Sequence, residues 1–195
     1  PAVRLAIDGQ EEFFALVGEA EGYEPGLPPL ADRIATFRLL AERYGRDRVV
    51  WRFDPLLLSD ALSVQTLTRR VAGVGEQLHA WTARLVLSFV DLARYPRAFK
   101  RCAGLGAGLS PHLARWDVRA STGAEDVDLS EYGIAKAACI DACDFLRLNL
   151  LTHGEAAEVA RKDPGQRPSC RCSVSKDIGA YGTCATGCCY CYARR

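Results

Sequence analysis

Three short apolar runs recur at a fixed interval, and they constrain the fold of this chain more than any other feature. The runs are residues 13–17, 49–53 and 85–90. Equivalent positions in them, Phe14, Val50 and Val86, stand 36 residues apart. Each run is rich in Val, Leu and Phe without polar alternation, which is typical of strands buried on both faces of a parallel sheet.

Helical patterns separate these runs. Residues 30–44 place apolar side chains on one helical face, after two prolines and before Gly45, which supply the start and stop signals. Ser63 is a suitable N-cap for a second helix with an apolar stripe over residues 64–78. Strand and helix in alternation predict βα units and a parallel sheet. We expect an α/β fold in which parallel βα repeats form a partial TIM-like barrel.

Periodicity is weaker after the third run. We expect a poorer helix at residues 96–105, a flexible glycine-rich link at 104–108 and a fourth strand near 116–120. The polar, turn-rich residues that follow position 160 indicate a linker. The chain therefore divides into a βα-repeat domain, residues 1–160, and an irregular cysteine-rich tail, residues 161–195, packed on the carboxyl ends of the strands.

The tail holds six of the nine cysteines, and their spacing predicts a metal centre. Cys184, Cys188 and Cys191 follow the pattern C-x3-C-x2-C, with Tyr190 directly before the third cysteine. Thiolates are the soft ligands of zinc and of iron–sulfur clusters. The pattern resembles that of radical S-adenosylmethionine (SAM) enzymes, which implies a 4Fe–4S cluster with one open iron that binds and cleaves SAM.

Other uses of the cysteines remain open. A closed zinc site on Cys170, Cys172, Cys188 and Cys191 would make the chain a zinc-stabilised binding module. A fully ligated cluster would make it a non-catalytic iron–sulfur protein for electron transfer or regulation, and a disulfide framework is a further alternative. An odd number of cysteines at metal spacing favours the reducing cytoplasm.

Polar residues follow the apolar runs, where the loops of a parallel βα array carry chemistry. Arg52, Asp54, Ser88 and Asp91 are the candidates there for binding SAM or a substrate, together with Tyr190 in the tail. A charged Arg52 inside an apolar run predicts either a side chain that faces a ligand or an ion pair with Asp54 or Asp91.

Composition sets the remaining limits. A net charge of +1 gives no signal for nucleic acid, and no apolar run is long enough to span a bilayer. The sequence begins at Pro1 and contains no Met, so we expect that an upstream segment is missing. The expected partners are a small-molecule or unknown substrate and an electron donor such as flavodoxin or ferredoxin.

Seven stretches together carry a family resemblance. They are EPGLP (24–28), VVWRFDP (49–55), SFVDL (88–92), DLSEYGI (128–134), CID (139–141), QRPSCRC (166–172) and DIGAYGTCATGCCYCYA (177–193). From about Tyr23 onward the chain resembles the bacterial and archaeal family catalogued as domain of unknown function eighteen-forty-eight. The resemblance implies a link to radical SAM proteins through the C-terminal cysteines, and an N-terminal segment that this chain lacks.

The same resemblance implies a second metal site. Cys139, Cys170 and Cys172 recur in the family pattern with a fourth cysteine, which this chain replaces in the region of Ser121 and Thr122. We therefore predict an auxiliary Fe–S cluster on these three cysteines with one open or non-cysteine ligand, the alternative being three free thiols. Cys139 is also expected to open a helix, a position that favours the thiolate.

Overall fold

The computed structural model describes residues 2–7, 10–16, 25–56, 62–89, 96–176, 180–183 and 187. Its strands are β1 (Ala2–Ile7), β2 (Gln10–Leu16), β3 (Val49–Leu56), β4 (Arg84–Phe89), β5 (Arg119–Gly123) and β6 (Ile134–Ala137). Its helices are α1 (Leu30–Tyr44), α2 (Val64–Leu78), α3 (Pro96–Leu113), α4 (Ala142–Arg147) and α5 (His153–Val159). Over the described residues, none of the helices has the length and apolar character needed to cross a membrane.

The six strands form one sheet in which spatial order follows chain order. The first strand, β1, pairs antiparallel with β2, and all later neighbours pair in parallel. The 36-residue repeat is visible in the register, where Phe14 lies opposite Val50. The next pairing is offset by two residues, so that Val86 lies opposite Arg52 and not opposite Val50. The prediction of an α/β fold with a parallel sheet is confirmed.

One face of the sheet is covered by α1, α2 and α3. Phe37, Val71 and Leu105 from these helices pack with Trp51 and other strand residues in a single buried core. The bounds predicted for the first two helices are confirmed, and Ser63 caps α2 by accepting a hydrogen bond from the Thr66 backbone N–H at 3.2 Å. Burial of this apolar face is the main stabilising contribution to the fold.

The third helix is longer than its sequence indicates. The predicted link at residues 104–108 is wrong, because α3 continues through its glycines to Leu113. A Cβ on Gly106 would lie 2.5 Å from Tyr132, and one on Gly108 would lie 2.8 Å from the Thr68 hydroxyl. These glycines therefore permit close approach of neighbouring elements. The fourth parallel strand, β5, also begins and ends later than predicted.

Residues 161–175, which begin with the predicted turn-rich linker, have turns at 164–165 and 168–169 and form a closed loop, here called the cysteine loop. The Asp163 backbone N–H donates to the Cys172 carbonyl at 2.9 Å. The Asp163 carboxylate accepts from the backbone N–H groups of Gly165 at 2.8 Å and Ser175 at 3.1 Å. These bonds lower the pKa of Asp163 and close both ends of the loop around one carboxylate.

Candidate functional site

The carboxyl ends of β3, β4, β5 and β6 meet at one edge of the sheet because these strands are parallel. On the face opposite the three helices, β3 presents Arg52 and β4 presents Ser88 at this edge. Arg52 lies two residues after Val50, and Ser88 two residues after Val86, so each pair is on one face of its strand. Val50 and Val86 are buried, and Cys139 packs against them. Side chains distant in sequence thus converge at what we call the carboxyl-end edge.

Three cysteines lie together there. Cys139 follows β6, and Cys170 and Cys172 belong to the cysteine loop. The loop is fixed beside Cys139 by a hydrogen bond of 2.9 Å from the Ser173 backbone N–H to the Ile140 carbonyl. The Cys139 and Cys172 side chains hydrogen-bond each other, as do those of Cys172 and Cys170. The three sulfurs therefore form a hydrogen-bonded row.

This row is electrostatically uneven. The thiol of Cys172 donates to Cys139 and thereby lowers the pKa of Cys139 to about 7, with the Arg52 charge adding to the effect and burial opposing it. The pKa of Cys172 is raised because it is the donor and because it is buried. Burial also raises the pKa of Cys170. At neutral pH the row therefore holds thiolate character at Cys139.

The cause of that thiolate character differs from the one expected. Cys139 does not open a helix, because α4 begins at Ala142 and its N-cap is Asp141. The cap side chain accepts from the Cys143 backbone N–H at 2.9 Å. The neighbouring thiol and Arg52, not a helix terminus, favour the thiolate.

Arg52 is held by two neighbours at the carboxyl-end edge. Its Nη2 lies 2.6 Å from Oδ2 of Asp54 and 3.5 Å from Oγ of Ser88. Its Nε is buried and has no hydrogen-bond partner among the described residues. Of the two interpretations of Arg52, the ion pair with Asp54 is present. Both side chains remain about a quarter exposed, which leaves them accessible to a ligand.

Gly123 lies next to both Ser88 and Cys139. A Cβ built on Gly123, at the end of β5, would lie 2.6 Å from Sγ of Cys139 and 3.6 Å from Oγ of Ser88. No real Cβ tolerates the first of these distances. Cys139 therefore occupies the space that a side chain at position 123 would fill.

Glu125 is a residue that the sequence reasoning missed. It follows β5 at the same edge, is buried, and accepts a hydrogen bond of 3.0 Å from the Phe89 backbone N–H. Burial raises its pKa, and Asp54 adds to the rise while Arg167 opposes it. The signal was a carboxylate just past a strand, and it was overlooked because that strand was expected to end near residue 120.

Several predicted site residues cannot be placed. Five of the predicted site residues lie outside the described part of the chain: Asp91, Cys184, Cys188, Tyr190 and Cys191. One residue between the predicted ligands is described, namely Gly187, which has a φ of 68°. A Cβ there would contact Cγ of Pro25 at 3.9 Å, on the connection that leaves the carboxyl end of β2. Ser121 and Thr122 are buried within β5.

The donor type suits a soft metal, but the arrangement as it stands does not enclose one. Each of the five cysteines in the described residues is a free thiol. Within those residues, no three His, Cys, Asp or Glu side chains are arranged to hold a metal ion. Cys139, Cys170 and Cys172 are adjacent soft donors, so side-chain rotation in the row would be needed to converge on a centre.

A second polar feature lies toward the amino ends of β4, β5 and β6. A cavity of about 330 Å³ there is lined by Arg84, Arg119, Ser121 and Asp144, among others. Arg84 and Asp144 form a buried ion pair, and Arg84 also donates to the Ala138 carbonyl at 3.4 Å. The sheet face opposite α1, α2 and α3 thus carries polar side chains at both ends of the strands.

Comparison with known families gives one match. A family described as Domain of unknown function (DUF1848) matches residues 12–193 of the chain. No curated protein and no solved structure matches it.

Proposed function

We propose that this chain, which belongs to the DUF1848 family, is an iron–sulfur protein of the radical SAM type. The observation that carries the proposal is that Cys139, Cys170 and Cys172 lie adjacent to one another, beside Arg52 and Asp54 at the carboxyl-end edge. That edge is where parallel α/β folds place their chemistry. The sequence motif of the tail supplies the second part of the proposal.

Two groups of cysteines would hold the clusters. Cys184, Cys188 and Cys191 would bind a 4Fe–4S cluster, with Tyr190 beside it. Gly187, which lies between two of these ligands in the sequence, is close to Pro25 in the segment that precedes α1. Cys139, Cys170 and Cys172 would bind a second cluster with one open or non-cysteine ligand. When bound, a cluster with an open iron supplies one electron for the reductive cleavage of SAM to methionine and a 5′-deoxyadenosyl radical.

The side chains of the protein would bind and orient SAM or the substrate, and they would exclude water from the site. Arg52, Asp54, Ser88 and Asp91 would contact SAM or the substrate from the strand ends. The Cys172 N–H lies 3.5 Å from Sγ of Cys170, a hydrogen bond of the kind that stabilises cluster thiolates. An electron donor such as flavodoxin or ferredoxin would reduce the clusters, and the substrate class is open.

A partial barrel fits the sheet geometry. Strand order follows chain order, the covering helices α1–α3 share one face, and the register is offset by two residues between β3 and β4. A closing sheet requires such a stagger. The proposal places the tail over the carboxyl ends of this arc, with the sheet face opposite α1, α2 and α3 as its inner surface.

Electron paramagnetic resonance after anaerobic reconstitution tests the function. We expect a reduced 4Fe–4S signal whose shape changes when SAM is added, since SAM binds the open iron. Replacing Cys184, Cys188 and Cys191 with Ser should abolish the SAM-dependent change and leave a second signal. Loss of that second signal should require Cys139→Ser or Cys172→Ser.

Three results would contradict the proposal. A colourless protein that holds stoichiometric zinc and refuses iron would favour the zinc-stabilised module, whose tail should unfold on chelation. A cluster that never responds to SAM would favour electron transfer or regulation. A chain that binds no metal would leave the cysteines as thiols.

A further inference from the structure

The proposed function makes no use of the cavity toward the amino ends of β4, β5 and β6. Its volume of about 330 Å³ lies within the range of small-molecule sites. Arg84 and Arg119 begin β4 and β5, lie opposite each other in the sheet register and line the cavity together. Asp144 of α4 and its N-cap Asp141 line it as well. None of the lining residues belongs to the cysteine row or to the other residues described at the carboxyl-end edge.

One buried carboxylate beside this cavity is shared by three guanidinium groups. Oδ2 of Asp144 pairs with Arg84, while its Oδ1 lies 3.2 Å from Nη2 of Arg147 and 3.6 Å from Nη2 of Arg119. Arg147 has a second carboxylate, Asp47, at 3.6 Å. The contact of Arg119 is too long for a hydrogen bond, and this side chain has no other ion pair within the described residues. At 58% exposure, Arg119 therefore has guanidinium donors available to a ligand in the cavity.

The remaining side chains of the lining indicate what else a ligand would contact. Val118, Ala135 and Ala137 are apolar, and Ser121 adds a hydroxyl group opposite Ala135 in the register. Small-molecule pockets have this composition, mostly apolar with a few polar groups that fix the orientation of the ligand. A bare inorganic anion would fill only part of the volume. We therefore expect an organic molecule that carries an anionic group.

We propose that this cavity binds a small organic oxyanion, whose carboxylate or phosphate group pairs with Arg119 beside the buried pair of Arg84 and Asp144. The guanidinium group presents planar, paired N–H donors that match either oxyanion. The carboxylate of Asp141, which accepts from the Cys143 backbone N–H at 2.9 Å, faces the same ligand and weakens its binding by repulsion. The inference is independent of the proposed function, because it requires no cluster.

A chemical-shift titration of the 15N-labelled full chain tests the proposal. Inorganic phosphate and butyrate are the two probes, added at constant ionic strength against chloride. We expect saturable shifts at the backbone amides of Ser121, Ala135 and Ala137 with at least one probe. Saturation by phosphate assigns a phosphate group to the natural ligand, and saturation by butyrate assigns a carboxylate with an apolar chain.

Four variants separate specific pairing from general charge. Arg119→Gln should weaken binding about tenfold or more, because a hydrogen-bonded charge is lost from an exposed position that the fold does not require. Asp141→Asn should strengthen binding several-fold, and it should keep α4 because Asn caps a helix as well as Asp does. Ala135→Leu should block binding by filling the cavity. Arg69→Gln, the same charge change on an exposed position of α2, should leave the affinity unchanged.

Three results would overturn the proposal. The first is the absence of saturable shifts at these amides with both probes. The second is equal weakening by Arg119→Gln and Arg69→Gln, which would show only non-specific screening. The third is weaker binding in Asp141→Asn, which would mean that the cavity selects a positive group. The amide spectrum of each variant shows in the same experiment whether it has folded.

Discussion

The two faces of the sheet differ in chemistry although the same strands supply both. In β3, Trp51 and Phe53 point into the apolar core under the helices, while Arg52 and Asp54 alternate with them and form an ion pair on the other face. The start of the strand is different, because Val49 and Val50 are both fully buried. The strand is thus apolar on both faces at its amino end. Near the candidate site it is apolar on one face and polar on the other.

Glycines show the same contrast. Gly75 in α2 is packed against the ring of Trp116, where a Cβ would lie 2.0 Å from a ring carbon. Gly123 is packed against the thiol of Cys139. One glycine admits a rigid aromatic ring to the core, and the other admits a reactive side chain to the edge. The first contact serves stability, and the second serves the geometry of the candidate site.

The largest effect is expected at the buried ion pair between Arg84 of β4 and Asp144 of α4, on the sheet face opposite α1, α2 and α3. Asp144→Asn removes the carboxylate that neutralises Arg84, and both side chains are less than a tenth exposed. Removing one partner of a buried ion pair costs about 3–5 kcal/mol, so urea denaturation should show a loss of that size.

A double change separates charge from packing at this pair. Arg84→Met with Asp144→Leu removes both charges, so it should be less destabilising than Asp144→Asn alone. A double variant less stable than the single one would show that the pair stabilises this face by more than mutual neutralisation.

Core packing on the helix-covered face gives the next effect. Gly75→Ala forces the Trp116 ring to move, and overpacking of this kind costs about 1–3 kcal/mol. Gly73→Ala is the matched control in the same helix, since nothing lies within 4 Å of its added Cβ. We expect the control to stabilise the protein by about 0.5–1 kcal/mol, the usual gain of Ala over Gly in a helix. Equal losses in both variants would refute the packing account.

The glycine at the carboxyl-end edge should affect chemistry more than stability. Gly123→Ala displaces the Cys139 thiol, which can rotate away more easily than an indole ring, so the stability loss should be smaller than for Gly75→Ala. Rotation breaks the hydrogen bond from Cys172 that lowers the pKa of Cys139 to about 7.

Alkylation of metal-free protein, with Cys139 followed by mass spectrometry, measures that change. In the wild-type chain the rate should rise through a midpoint near pH 7, because only the thiolate reacts. In Gly123→Ala the midpoint should move toward that of an ordinary thiol, near pH 8.5. An unchanged midpoint would mean that the contact does not position the sulfur.

The smallest effect is expected at Glu125. Burial raises the pKa of Glu125, so the folded state favours the neutral acid. The contribution of this carboxyl group to the free energy of unfolding is therefore lost as the pH rises through its folded-state pKa. Glu125→Gln keeps an oxygen for the Phe89 N–H and imitates the neutral acid. The variant should melt slightly higher than wild type at pH 8 and equally at acidic pH. A lower melting temperature at pH 8 would indicate that the charged carboxylate is stabilising.

Sequence periodicity was sufficient where local signals agree with tertiary packing. The three apolar runs became β2, β3 and β4, and both α1 and α2 have the predicted bounds. It failed at α3, because glycines that permit close packing look the same in sequence as glycines that permit flexibility. At Gly106 the close packing is against Tyr132, which is distant along the chain.

The residue types of the candidate site could be predicted from the sequence better than the contacts between them. Polar residues at strand ends indicated the edge, and the family resemblance grouped Cys139 with Cys170 and Cys172. Nothing in the sequence indicated that Asp163 would close the cysteine loop or that Arg52 would lie beside Cys139. Such relations arise from register and loop docking, which a linear pattern does not contain.

The most direct test of the account is the metal and acid-labile sulfide content of the anaerobically purified chain, measured with and without Cys139→Ser. We predict iron and sulfide in equal amounts in the wild-type chain, and one cluster's worth less of both in the variant. Zinc without sulfide, or iron and sulfide that the variant does not change, would contradict the assignment of a cluster to Cys139 and the cysteine loop.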